Sequence, residues 1–268
     1  MSFFNRKNKK RSSSAFAMDS QKTLHKNLEF TATEQYKLLR TNLDFTIPEG
    51  VKCPIVGVTS SMRGEGKSTT SVNLSYVLAE KDSKVLLIDG DLRIPSIAKK
   101  MDIESTPGLT DLLMGKNIPM SQFKSTIQDN WYILPSGEIP PNPSELLGSR
   151  RMEVLLQQLR ETFDYIVIDL PPVNIVSDAL SISQLIDGMI VVIREEYTEK
   201  KELERCFRSL KLSNARVLGC VMNETKSGSG YYKKYRRYRY YKYYRYYQHY
   251  YQNYYQTPKK KETEKKGD

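Results

Sequence analysis

From residue 54 onward the chain alternates between short, almost purely apolar runs and longer amphipathic ones. Residues 54–60, 84–89, 131–134, 165–169, 189–193 and 217–222 are dominated by Val, Ile and Leu with little polar alternation. Runs of that length and kind predict strands covered on both faces, as in a parallel sheet. Between them the pattern predicts helices over 67–80, 108–114 (short), 144–161, 177–186 and 198–212. Upstream, Thr31 to Glu34 reads as a capping box. The helix it opens runs to about residue 45, with Tyr36, Leu39 and Leu43 on one side and Glu34, Lys37 and Arg40 on another. Strands joined by helices imply right-handed crossovers and a doubly wound α/β fold with a mostly parallel sheet. Ligands of such sheets bind at the carboxyl ends of the strands.

The pattern stops at both ends. Residues 1–23 are polar, basic and Ser-rich, and residues 226–268 form a second tail with no aliphatic core. The expected organisation is a disordered basic segment (1–23), one α/β domain (24–225) and a flexible tail (226–268). The net charge of +11 follows the same division. Residues 1–11 contribute +5 and residues 226–268 contribute +10, which leaves −4 on the remainder. A mildly acidic body argues against a folded basic face for nucleic acid. The three cysteines, Cys53, Cys206 and Cys220, lack metal spacing and suit a reducing cytoplasm. No apolar run is long enough to span a bilayer, and no signal peptide is evident at the start.

Chemistry concentrates at three strand ends. After the first strand comes Ser61-Met62-Arg63-Gly64-Glu65-Gly66-Lys67-Ser68-Thr69. Glycines before a helix start let backbone N–H groups close around phosphate oxygens. Lys67 is placed to reach the β/γ-phosphates and Ser68 to ligate Mg²⁺. The usual phosphate-loop pattern has Gly where Ser61 stands. After the second strand, Asp89, Asp91 and Arg93 follow one another at two-residue spacing; carboxylates beside a triphosphate need a cation between them. The fourth strand ends in Asp169, the Walker B arrangement. Asp178 is expected to cap the next helix. Asn223, after the last strand, suits either a nucleotide base or a turn.

Together these motifs resemble the bacterial tyrosine kinases of capsule and exopolysaccharide systems, a branch of the MinD/ParA-like NTPases. The likeness runs from about Thr33 to Asn223 and includes the stretch from Pro140 to Leu147. The MinD/ParA signature lysine, five residues before Lys67, is replaced by Met62, which favours the kinase branch. The resemblance implies ATP and Mg²⁺ as cofactors, with Ser61, Gly64, Glu65, Gly66, Lys67, Ser68, Thr69 and Asn223 around the nucleotide. It makes Ser68, Asp91 and Asp169 the metal ligands and Asp89 the partner of the incoming tyrosine hydroxyl. A free carboxyl near pKa ~4 is a weak base for a phenol near ~10. Orientation and charge spreading matter more in a loose phosphoryl-transfer transition state. Arg93 or Arg63 would stabilise transferred charge. Glu34, Lys37 and Arg40 match the family's oligomer motif, with Lys37 in place of an arginine.

The tail holds fourteen tyrosines: Tyr231, Tyr232, Tyr235, Tyr238, Tyr240, Tyr241, Tyr243, Tyr244, Tyr246, Tyr247, Tyr250, Tyr251, Tyr254 and Tyr255. The resemblance makes them the autophosphorylated cluster, modified between subunits of a ring such as an octamer. Each phosphate adds about −1.5 to −2, so roughly five to seven would neutralise the tail. The implied partners are a separate transmembrane activator, which recruits the cytoplasmic kinase to the inner membrane face, and a protein-tyrosine phosphatase. Alternating Tyr and Arg/Lys also suits single-stranded nucleic acid. A ParA/MinD-like positioning ATPase with a nucleic-acid-binding tail is therefore the alternative; Met62 and the kinase motifs disfavour it.

Overall fold

The computed structural model describes residue 23 and residues 30–225. Helix α1 (Phe30–Thr46) leads into strand β1 (Ile55–Ser60), helix α2 (Lys67–Ala79) and strand β2 (Val85–Asp89). Short helices α3 (Ile97–Met101) and α4 (Leu109–Leu113) precede strand β3 (Trp131–Leu134). Then come α5 (Pro143–Leu147), α6 (Arg150–Arg160), β4 (Tyr165–Asp169), α7 (Asp178–Ser181), β5 (Gly188–Arg194), α8 (Lys200–Leu212) and β6 (Val217–Asn223). The six strands form one sheet in the order β3-β2-β4-β1-β5-β6, and every adjacent pair is parallel.

The apolar runs are explained by two cores. Val56, Val58, Val85, Leu87, Val167, Ile190 and Val192 pack with α1 and α2 on one face. Ile55, Leu86, Ile88, Ile166, Ile168 and Val191 pack with α4, α6 and α8 on the other. Alternate residues of β1, β2, β4 and β5 therefore enter opposite cores, whereas the edge strand β6 is only partly covered, with Cys220 and Met222 exposed. Helix α2 is buried from Ser68 to Ser75 and again from Val77 to Ala79, because α1 lies over it.

That covering changes the picture of α1. Lys37 pairs with Glu34 at 3.1 Å along the helix. Arg40, the third residue of that set, reaches the end of α2. Its guanidinium donates to the Val77 carbonyl and lies 3.5 Å from Glu80. The last carbonyls of α2 lack helical partners, and a cation there is favoured.

Local irregularities also depart from the predicted elements. The single helix expected over 144–161 is two, broken at Gly148, with the Ser149 hydroxyl accepting from the Met152 amide at 3.2 Å to start α6. The helix expected over 177–186 shrinks to the four residues of α7. Helix α3 and a 3₁₀ turn at Met120–Phe123 were not legible in the pattern. No described helix is long and apolar enough to cross a membrane. Apart from residue 23, the terminal segments predicted to be disordered, and all fourteen tail tyrosines, lie outside the described residues.

Candidate active site

Strands β2 and β4 run side by side so that Asp89 and Asp169 are register partners at their carboxyl ends. The phosphate loop leaves the adjacent β1 at the same edge. Gly64 and Gly66 take left-handed conformations, φ +79° and +97°. A side chain at either position would be strained, and at Gly66 a Cβ would fall 1.8 Å from the Asn223 amide nitrogen. These glycines turn the backbone so that α2 begins at Lys67, its dipole directed at the loop.

Lys67 and the carboxylates form one buried cluster. The Lys67 ammonium lies 2.9 Å from Asp91 and 3.6 Å from Asp169. Burial alone would lower its pKa, but the charges of Asp169 and Asp91 outweigh that and hold it above the ordinary lysine value. The Asp169 carboxyl is raised, first by burial, against the opposing pull of Lys67. Ser71, one helical turn after Lys67, donates to Asp169 at 3.2 Å. Its spacing from Lys67 is the signal that could have singled it out.

Asp89 is fully buried. Its Oδ2 accepts from the amides of Ser96 at 3.0 Å and Ile97 at 2.9 Å, at the start of α3. Its carboxyl is raised to about 7, by burial first and by the charge of Asp169 second. A free aspartate is a weak base for a phenol near pKa ~10, and burial moves Asp89 in the direction of the phenol.

The side chains of Ser61 and Glu65 serve the loop rather than facing out of it. The Glu65 carboxylate is buried beneath the turn. It accepts from the Ser61 hydroxyl at 2.8 Å, the Met62 amide at 2.9 Å and the Thr198 hydroxyl. Ser61 thus supplies a donor that glycine lacks. The outer side of the loop is clasped by the segment after β5. Arg194 donates to the Gly64 carbonyl at 3.0 Å and Tyr197 to the Arg63 carbonyl at 3.0 Å. Asn223 donates to the Glu65 carbonyl at 3.1 Å. No sequence signal marked Arg194, Tyr197 or Thr198. Ser68 and Thr69 open α2 with buried side chains. Arg93 lies on the loop after β2 and is bound to Asp178, which therefore is not a simple helix cap.

The family profile described as "AAA domain" matches residues 54–217. Tyrosine-protein kinase YwqD of Bacillus subtilis (strain 168) is 38% identical over 181 residues, 66% of this chain and 76% of the relative. The chain belongs to the bacterial tyrosine-protein kinases. Among solved structures, the chimerical protein CapA2B2 superposes on this kinase with a TM-score of 0.71 and 31% identity, covering 76% of this chain and 89% of that one. The septum site-determining protein MinD of Pyrococcus horikoshii, complexed with Mg-ADP, gives a TM-score of 0.54 at 26% identity over 66% of this chain and 72% of that one. The fold is that of a MinD-like phosphate-loop NTPase, which binds nucleotide.

The kinase has the donors that a magnesium ion requires. Asp91, Asp169 and the Ser68 hydroxyl are hard oxygen ligands, and Asp169 Oδ2 is buried without a hydrogen-bond partner. The Lys67 ammonium faces that oxygen at 3.6 Å, beyond hydrogen-bond distance, so a coordinated cation would complete its partners. A bound Mg²⁺ would neutralise charge on the phosphates. The protein's own groups at this edge are the loop amides, the Lys67 ammonium and the buried Asp89 carboxyl.

Proposed function

We propose that this kinase uses Mg-ATP to phosphorylate the tyrosine cluster of its own tail, between subunits of a ring, and so regulates capsular or extracellular polysaccharide synthesis and export. The observation that carries the reading is the convergence of Lys67, Asp91 and Asp169 within 3.6 Å behind the two left-handed glycines. It supplies what phosphoryl transfer needs: phosphate contacts, metal ligands and charge stabilisation. Asp89 accepts or orients the phenolic proton, and Lys67 follows the phosphate charge as it develops. The presence of fourteen tyrosines on the same chain supports an autologous acceptor.

The remaining parts of the proposal follow from the family. A transmembrane activator holds the kinase at the inner face of the membrane, and a protein-tyrosine phosphatase reverses the modification. The MinD likeness supports a shared fold; the kinase relatives favour tyrosine transfer over cargo positioning. The test is the Lys67→Met variant, purified from cells lacking other tyrosine kinases and incubated with Mg-ATP. The proposal expects phosphotyrosine in the wild type and none in the variant. A labelled variant would overturn it.

A further inference from the structure

Two stretches remain outside the mechanism above: Pro140 to Leu147 and the Ser177-Asp178 pair. They meet at one side chain, Arg93. Asp178 is wholly buried. It accepts from Arg93 Nε at 2.9 Å and from Arg93 Nη2 at 3.0 Å, a bidentate pairing. Ser144 completes the arrangement. Its hydroxyl donates to Asp178, accepts from Arg93 Nη2 at 3.3 Å and lies 3.1 Å from the Ser177 hydroxyl. A guanidinium carries five N–H donors. This arrangement engages the Nε and Nη2 donors and leaves those of Nη1. The Arg93 side chain is 41% exposed although its partner is not.

The location gives the arrangement a use. Arg93 follows Asp91 by two residues, and Asp91 contacts Lys67. Asp178 opens α7, the helix that follows β4, whose last residue is Asp169. The pair therefore ties the segment after β2 to the segment after β4. On the proposed kinase reading, Lys67 and the phosphate loop hold the donor nucleotide from the β1 side. Arg93 stands on the β2 side, past the strand whose end carries Asp89. Arg63 offers no comparable group, because its side chain is exposed and makes no contact among the described residues. A guanidinium oriented before the reaction stabilises charge without reorganising during it.

We propose that Asp178, assisted by Ser144, is a positioning residue for phosphoryl transfer: it fixes Arg93 with Nη1 presented to the phosphoryl group on the acceptor side. The reaction breaks the bond from the γ-phosphorus to the bridging oxygen of ATP. It forms a bond to the phenolic oxygen and releases the phenolic proton to Asp89. Arg93 takes part in none of these bonds. It follows the negative charge as the phosphoryl group moves onto tyrosine. The stretch from Pro140 to Leu147 thereby gains a role, as the support of Ser144.

The inference rests on the kinase reading, and the experiment separates the two. Initial rates of tail phosphorylation are measured for the full-length wild type, Arg93→Ala, Asp178→Asn, Ser144→Ala and the Arg93→Ala/Asp178→Asn double variant. Each protein's urea midpoint is recorded. Asp178→Asn is expected to slow transfer by about 10- to 100-fold, the cost of a misplaced group. The milder Ser144→Ala keeps the test available if Asp178→Asn unfolds. The double variant is expected to be no slower than Arg93→Ala, and free guanidinium to restore Arg93→Ala only while Asp178 is present. A purely structural Asp178 would give rates that track the urea midpoints, an additive double variant and no such rescue; any of these overturns the inference. So does an Arg93→Ala variant with wild-type rate. If the wild type itself makes no phosphotyrosine, the kinase reading fails first and this inference with it.

Discussion

Replacing Ser61 by glycine would restore the residue that phosphate loops usually carry at this position, yet it should destabilise this protein. The Ser61 hydroxyl donates to a Glu65 carboxylate that has no solvent exposure. A hydrogen bond to a buried charged group contributes about 1.5–3 kcal/mol, and the carboxylate cannot recover it from water. Ser61→Ala isolates that loss. Ser61→Gly adds about 0.5–1 kcal/mol of backbone entropy, for a total of about 2–4 kcal/mol. Thr198 donates to the same Glu65 oxygen, so Ser61→Ala and Thr198→Val should be non-additive, the second loss costing more than the first. Urea unfolding with an unchanged slope reads the difference directly. For a domain of this size, melting should fall by on the order of 5–10 °C. If Ser61→Gly proves as stable as the wild type or more so, Glu65 does not depend on Ser61 and the account of this loop is wrong.

Three other perturbations test separate parts of the structure. Gly66→Ala places a Cβ against the Asn223 amide and strains a backbone at φ +97°. Nucleotide affinity, followed by calorimetry, should fall about 10- to 100-fold, and an unchanged Kd would refute the steric argument. Arg40→Ala removes the cation at the end of α2 and should cost about 1–2 kcal/mol in urea unfolding; an unchanged midpoint would mean that Arg40 is not held by the chain's own helix. Asp111 is pulled below the usual carboxyl range: burial opposes the shift, but Lys116 at 2.6 Å and the Gly108 amide at 2.8 Å overcome it. Its stabilising effect should be complete above about pH 4 and vanish as pH falls through its lower folded value. Stability measured against pH should therefore show wild type and Asp111→Asn converging in acid; a constant gap would contradict this.

The strands were legible because burial on both faces leaves an unbroken apolar run, and Val56 to Val58 or Val85 to Ile88 show it directly. The loop, Asp91 and Asp169 were legible because their chemistry demands particular residues at strand ends. What escaped was decided by contacts distant in sequence. Arg40 is read as a surface arginine until α2 is known to end beneath it. Asp178 looks like a helix cap until Arg93 arrives from a loop 85 residues earlier. The pKa of Asp89 depends on burial and on Asp169, neither of which local spacing reveals. The clasp from Arg194, Tyr197 and Thr198 uses ordinary residues, and only the fold brings them to the phosphate loop.

The central claim is tested most directly by mapping phosphate on the purified full-length chain. Wild type and Lys67→Met are incubated with Mg-ATP, and peptides spanning residues 231–255 are sequenced by mass spectrometry. The account predicts phosphotyrosine within that span in the wild type and its absence in Lys67→Met. Phosphotyrosine at equal levels in both proteins, or in neither, would contradict it.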